Sequence, residues 1–258
     1  MKLIGKITCL LLGLAIGSPF MKGENMKNVN VVFIGNSITQ GALIQDPVHD
    51  APPVKAALYL TKQPSITSVK YSNQGVSGCT TTDYLPQTET LFPKAKAAAD
   101  KFADETWAML VFSIMLGTND SAITGPNGAP ASPEKYEENM KAIINQLLAL
   151  YPNCKIVLHR PVWYSPNTYN GAMYLKEGLN RLQSYYPVLQ SLVADYANRF
   201  PGQVFMGDTE GFDYFKANYQ TDLFPEDGNA GTFYLHPNVK GAAVLGELWG
   251  KAIMKILE

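Results

Sequence analysis

Ser37 lies in the segment Gly35-Asn36-Ser37-Ile38-Thr39, directly behind the apolar run Val29–Ile34. A glycine there permits a tight turn out of a buried strand, and the serine falls where the next helix opens. At such a point an unpaired backbone N–H and the positive helix end face an oxyanion developing on an attacked carbonyl. On this segment alone, a nucleophile and a plain helix cap explain Ser37 equally well. The pattern G-x-S-x-G, which marks the nucleophile of α/β-hydrolases, does not occur, so that fold is disfavoured.

A serine hydroxyl becomes a nucleophile only beside a base. The chain has 3 histidines. His236, in Leu235-His236-Pro237-Asn238, stands where the last helical stretch begins, and the positive end of a helix favours a neutral imidazole. His159 closes the apolar run KIVLH and reads as a satisfied core histidine. His49 belongs to the polar loop Gln45–Pro53, placed to cover a crevice.

Two further segments could supply hydrogen-bond donors. Asn73-Gln74-Gly75-Val76-Ser77-Gly78 holds two closely spaced glycines, which bend the backbone and leave N–H groups such as that of Gly78 unshielded. Taken alone, a simple turn explains it better. In Gly117-Thr118-Asn119-Asp120, the Asn119 amide either donates to an oxyanion or caps a turn.

The elements that must position these residues follow from the apolar pattern. Val29–Ile34, Val69–Ser72, Met109–Leu116, Lys155–His159 and Val204–Met206 read as strands. Helical stretches alternate with them: Val54–Lys62, Phe92–Ala103, Pro133–Leu150, Met173–Tyr185 with Val188–Phe200, and Asn238–Leu257. Runs that are apolar throughout are covered on both faces, so the pattern predicts an α/β fold, a parallel sheet of about five strands with helices on each side. Ser132-Pro133-Glu134 supplies a helix start, Pro237 stands just inside the last helix, and Pro187 breaks or kinks the long stretch around it. Ligands of open parallel sheets bind beyond the carboxyl ends of the strands, where all four segments lie.

Gly-Asn-Ser, Gly-x-x-Gly, Gly-x-Asn-Asp and His-Pro-Asn in this order resemble the SGNH (GDSL-like) hydrolase family, from Val31 to the last helix. The resemblance implies a three-layer α/β/α, flavodoxin-like fold and hydrolysis of ester-linked acyl groups. It implies Ser37 as nucleophile, His236 as base, and the Ser37 N–H, Gly78 N–H and Asn119 amide as oxyanion donors. One departure stands out. The family places an aspartate three residues before the histidine, and this chain has Phe233 there. The orienting group is then Glu226, Asp227 or a backbone carbonyl.

Bulk properties bound the rest. The 258 residues suit a single domain, assigned to 26–258, and 21 basic against 22 acidic residues disfavour a nucleic-acid partner. Lys2 and Lys6, the apolar stretch Ile7–Gly17 and the small residues Ala15 and Gly17 predict a signal peptide over 1–17 and a periplasmic or secreted product. A membrane span needs about 18 or more apolar residues, so no stable insertion is expected after cleavage. Cys9 precedes most of the apolar stretch and does not read as a lipid-attachment site. Cys79 and Cys154 fall at opposite ends of the sheet, too far apart for a disulfide. No cofactor is expected, and Asp120, His159 and His236 lack metal-ligand spacing.

The segment Arg160–Gly171 borders the crevice and carries Trp163, Tyr164 and Tyr169 among amides, which suits a sugar ring or simple loop packing. Arg160 reads as a partner for a carboxylated sugar or as a structural ion pair. The family that the chain resembles includes many carbohydrate deacetylases, and that resemblance implies an acetyl esterase acting on a carbohydrate. The rivals are a lysophospholipase or thioesterase, and a non-catalytic glycan-binding protein on a decayed esterase fold.

Overall fold

The computed structural model describes residues 26–102 and 104–258; the expected signal peptide lies outside the described residues. β1 (Lys27–Gly35), β2 (Ile66–Gly75), β3 (Ala108–Met115), β4 (Lys155–Leu158) and β5 (Val204–Met206) form one parallel sheet in the order β2-β1-β3-β4-β5. This is the flavodoxin-like order, whose topological switch point lies between β1 and β3. Around the sheet run α1 (Ser37–Gln40), α2 (Pro47–Asp50), α3 (Pro52–Thr61), α4 (Phe92–Asp100), α5 (Pro133–Leu150), α6 (Leu175–Arg199), α7 (Gly211–Asp222) and α8 (Val239–Leu257).

Strand alternation shows how the layers form. Phe33 of β1 stacks on Trp249 of α8 with centroids 5.9 Å apart. Val32 points the other way, and its register partner Phe112 meets Tyr151, at the end of α5, at 5.4 Å. α8 and α5 therefore cover opposite faces, α3 packing beside α8 and α6 beside α5. Phe33, Phe112 and Trp249 are all fully buried, which anchors both interfaces.

The structure departs from the sequence pattern where an element is an edge, a hairpin or an anchored helix. β2 extends well beyond Val69–Ser72; it is an edge strand, so Thr67, Ser68 and Lys70 are exposed and polar and escape an apolar criterion. α7 was not foreseen, and its non-helical Asn218 weakens the periodic pattern. Pro187 does not break α6, because Leu182, Tyr185, Leu189 and Leu192 bury both halves against the core. Pro237 ends a strand instead of opening α8; Asn238 caps that helix, accepting the Gly241 N–H at 3.0 Å. That strand, β7 (Phe233–Pro237), pairs antiparallel with β6 (Leu223–Glu226) in a hairpin the pattern had missed.

His159 is the core histidine its context predicts. Its Nδ1 accepts the Asp208 N–H at 2.9 Å, and Nε2 meets the Ser113 hydroxyl at 2.8 Å. Burial drives its pKa down to about 3. An unfolded histidine titrates near 6.5, so between roughly pH 6.5 and 3 the unfolded chain holds a proton that the folded chain refuses, and acid erodes stability. Burial raises Asp120 and Asp208 to about 6, and these pull in the opposite sense because the folded form protonates first. A variant comparison isolates the imidazole. In urea unfolding, the stability lead of the parent over His159→Gln should shrink on acidification from pH 7 to 4, by up to ~1.4 kcal/mol per pH unit. A constant lead across that range refutes the assignment.

Candidate active site

The ends of β1 and β2 are built to approach one another. A Cβ on Gly75 would stand 2.3 Å from the Gln40 nitrogen and 2.9 Å from the Asn36 oxygen, so only glycine lets β2 close against the turn that carries Ser37. The Asn36 side chain accepts the Ile38 N–H at 3.0 Å and caps α1. With four residues α1 is too short for a substantial macrodipole. Its contribution is local: Ser37 is the first helical residue, and its N–H has no intrahelical acceptor.

His236 comes to Ser37 from the other end of the chain. Its Nε2 lies 2.9 Å from Ser37 Oγ, and its Nδ1 lies 2.9 Å from Glu226 Oε1, which also accepts the His236 backbone N–H at 3.2 Å. A carboxylate only accepts, so Nδ1 carries the proton and Nε2 turns its lone pair toward the serine hydroxyl. Of the three possible orienting groups, Glu226 makes the contact. The hairpin explains why: Glu226 pairs directly with Phe233 across β6 and β7. The resemblance implies an aspartate at the position of Phe233; the carboxylate that meets the imidazole belongs to the cross-strand partner of that position, while Phe233 itself is buried in the core.

Gly78 and Asn119 reach the same site. Gly78 has φ +77°, a conformation that favours glycine, and no atom lies within 4 Å of where a Cβ would be. Asn119 donates from Nδ2 to the Cys79 carbonyl at 2.7 Å and accepts the Tyr174 hydroxyl at Oδ1, 2.6 Å away. Tyr174 gave no sequence signal, since it falls inside the expected helical stretch Met173–Tyr185, where a tyrosine reads as packing; the helix begins at Leu175. Cys79 shares the wall, but its thiol donates to the Gly35 carbonyl at 3.2 Å and burial raises its pKa, so it remains an un-ionised neighbour.

Ser37, Gly78, Asn119, Glu226 and His236 line one cavity of about 830 Å³, at the carboxyl ends of β1 and β3. Among the described residues, the charged ones that line it are Asp83 and Glu226, with no lysine or arginine. Asn127, Asn170, Ser77 and Thr90 add amide and hydroxyl groups. Several residues expected at the crevice do not line it. Trp163 is buried with its ring 5.4 Å from that of Tyr219, and Tyr164 is buried with its hydroxyl 2.9 Å from Ser121 Oγ. The apolar bodies of these rings are worth more in the core than at a rim. Tyr169 is also outside the lining, and from Arg160–Gly171 only Asn170 and Gly171 contribute. Arg160 stacks on Tyr186 and Phe212 and pairs with Asp213 at 3.2 Å, a structural role. His49 is exposed and paired with Asp46 at 2.7 Å, and it does not line the cavity.

Asp120, next to Asn119, accepts the Thr81 N–H at 2.9 Å and also binds the Thr81 hydroxyl, fixing the segment behind Cys79. Cys79 and Cys154 are both free and buried. Among the described residues, no group of three or more His, Cys, Asp or Glu is placed to hold a metal ion, and no helix is long and apolar enough to cross a membrane.

Comparison with solved structures shows the same fold. A carbohydrate acetylesterase from Sinorhizobium meliloti superposes with a TM-score of 0.57 at 18% identity, over 89% of this chain and 100% of that one. A lipase/acylhydrolase from Enterococcus faecalis gives 0.57 at 19% identity, over 88% and 96%. A two-domain esterase active on acetylated mannans gives 0.54 at 16% identity, over 90% of this chain and 50% of that one. No curated protein matches the sequence significantly. The model of the GDSL-like Lipase/Acylhydrolase family matches residues 33–244. With that span covering most of the 258 residues, the chain belongs to the GDSL-like lipase/acylhydrolase family and is a carboxylic-ester hydrolase.

Proposed function

We propose that this hydrolase removes acetyl groups from uncharged glycans, outside the cytoplasm after loss of residues 1–17, with Ser37 as nucleophile. His236 Nε2 takes the Ser37 proton as Oγ attacks the acetyl carbonyl. The oxyanion is met by the N–H groups of Ser37 and Gly78 and by Asn119 Nδ2–H, each worth about 3 kcal/mol in the transition state. Collapse expels the sugar oxygen, which takes the proton from His236 and leaves an acetyl-serine. Water then gives a proton to His236 and attacks the ester, releasing acetate and restoring Ser37. Glu226 keeps the proton of the imidazole on Nδ1 throughout and balances the imidazolium that forms.

The observation that carries the substrate reading is the cavity wall. Phosphate-bearing substrates, whether a lysophospholipid or a coenzyme A thioester, bring charges that call for lysine or arginine, and the lining offers Asp83 and Glu226 instead. Its amides and hydroxyls suit sugar hydroxyl groups. Two of the fold neighbours, a carbohydrate acetylesterase and an esterase active on acetylated mannans, point the same way. The non-catalytic alternative rested on Phe233, and with Glu226 against His236 that ground is gone.

Acetate release from acetylated neutral saccharides should exceed release from acetylated uronates by about tenfold, the effect of ~1.4 kcal/mol of charge repulsion. Among p-nitrophenyl esters, acetate should outrun octanoate. Faster turnover of uronates, of long-chain esters or of lysophospholipid overturns the proposal.

A further inference from the structure

We infer that Tyr174 is a positioning residue for the reaction, its phenol fixing the Asn119 carboxamide as a donor toward the oxyanion; the inference rests on the donor role proposed for Asn119. The two ends of a carboxamide are nearly equal in size and opposite in function. Turned over, Asn119 would offer lone pairs to a negatively charged oxygen. The Cys79 carbonyl, which only accepts, opposes that, and the phenol holds the amide in the orientation so set. The Tyr174 hydroxyl donates to Oδ1 at 2.6 Å, and Nδ2 donates to the Cys79 carbonyl at 2.7 Å. One Nδ2 hydrogen is thus held on the peptide chain just past Gly78, and the other is left for substrate. A short hydrogen bond into Oδ1 also polarises the amide and strengthens Nδ2–H as a donor. Through Asn119, the phenol braces both the amide and the turn that carries Gly78.

The fold meets a cost to hold Tyr174 there. Leu175, the first residue of α6, has φ +53°, which is strained for a leucine, and its N–H reaches the Thr168 carbonyl at 3.1 Å together with that of Tyr174 at 3.2 Å. Tyr164 meets the Tyr174 ring edge-on at 5.4 Å and is itself tied to Ser121. The Arg160–Gly171 segment thus serves the site indirectly, by holding this ring.

Because the oxyanion exists only in the transition state, the effect falls on kcat and spares KM. Tyr174→Phe should lower kcat for p-nitrophenyl acetate about tenfold, with KM within roughly twofold of the parent and a melting temperature only a few degrees lower, the protein still folded. Asn119→Ala should lower kcat by ~10²–10³. The double variant should be no slower than Asn119→Ala alone, since the phenol acts through the amide. 3-Fluorotyrosine at position 174 keeps the ring and its donor, so kcat should hold. Additive losses in the double variant, or a fluorotyrosine protein as slow as Tyr174→Phe, overturn the inference. So does a full-rate Tyr174→Phe beside a slow Asn119→Ala, which leaves the donor reading standing. A full-rate Asn119→Ala removes the donor reading and this inference together.

Discussion

Ser37→Ala should lower kcat for p-nitrophenyl acetate by about 10⁶-fold, and adding His236→Ala should then cost almost nothing more. The hydroxyl and the imidazole stand 2.9 Å apart and act as one unit: without Oγ there is no covalent route, and the base has nothing to activate. The residual rate comes from oxyanion donors acting on water and should be the same in both variants. Folding should scarcely notice. Ser37 Oγ makes one side-chain hydrogen bond, to a ring that faces the cavity and can take water in its place, so the stability change should stay below ~1 kcal/mol. A fluorophosphonate should label the parent at Ser37 and leave Ser37→Ala unlabelled. Kinetics, urea unfolding and intact mass on the same preparations check all three points. An alanine variant that retains turnover would falsify the nucleophile assignment, and additive losses would show that the two groups do not share one step.

How much of this was legible from sequence depends on which force fixes each residue. β1, β3 and β4 are mostly buried on both faces, and β5, though an edge strand and only partly buried, is a short wholly apolar run, so the apolar pattern announces all four. Ser37 and Asn119 follow such strands, Gly78 follows the partly exposed edge strand β2, and strand ends in a parallel sheet converge on one rim, so sequence order places them together. His236 was found by its type and its neighbours, although a strand end and not a helical proline sets its position. The aromatics of Arg160–Gly171 misled because a ring near a crevice can be buried beside it; residue type does not tell which way Trp163 points. Tyr174 left no trace because its role depends on one phenol oxygen in a loop. Glu226 was one of three alternatives because Leu-Phe-Pro-Glu, with a proline inside, hides its strand character. A hairpin reading of the Gly-containing stretch between Glu226 and Phe233 was the available signal.

The register of that hairpin leads to the second large effect. Glu226→Ala should lower kcat by up to ~10⁴-fold, the scale set when a triad carboxylate no longer fixes its imidazole. Without the carboxylate, Nδ1 has no acceptor, the ring can carry its proton on Nε2, and in that tautomer it cannot accept from Ser37. Glu226→Gln should be milder, ~10–10²-fold. Glu226 Oε1 is held by two donors, the His236 backbone N–H at 3.2 Å and Nδ1 at 2.9 Å. A glutamine meets the same pair with its carbonyl oxygen, since its NH₂ group would place hydrogens against hydrogens. The working tautomer survives, and only the negative charge facing the imidazolium is lost. The ratio of the two variants therefore separates orientation from charge. Equal losses in both would mean that charge alone matters and that the backbone clamp on Oε1 does nothing for the tautomer. Parent-like kcat in Glu226→Ala would mean that the hairpin has replaced the missing aspartate of Phe233 in position but not in function.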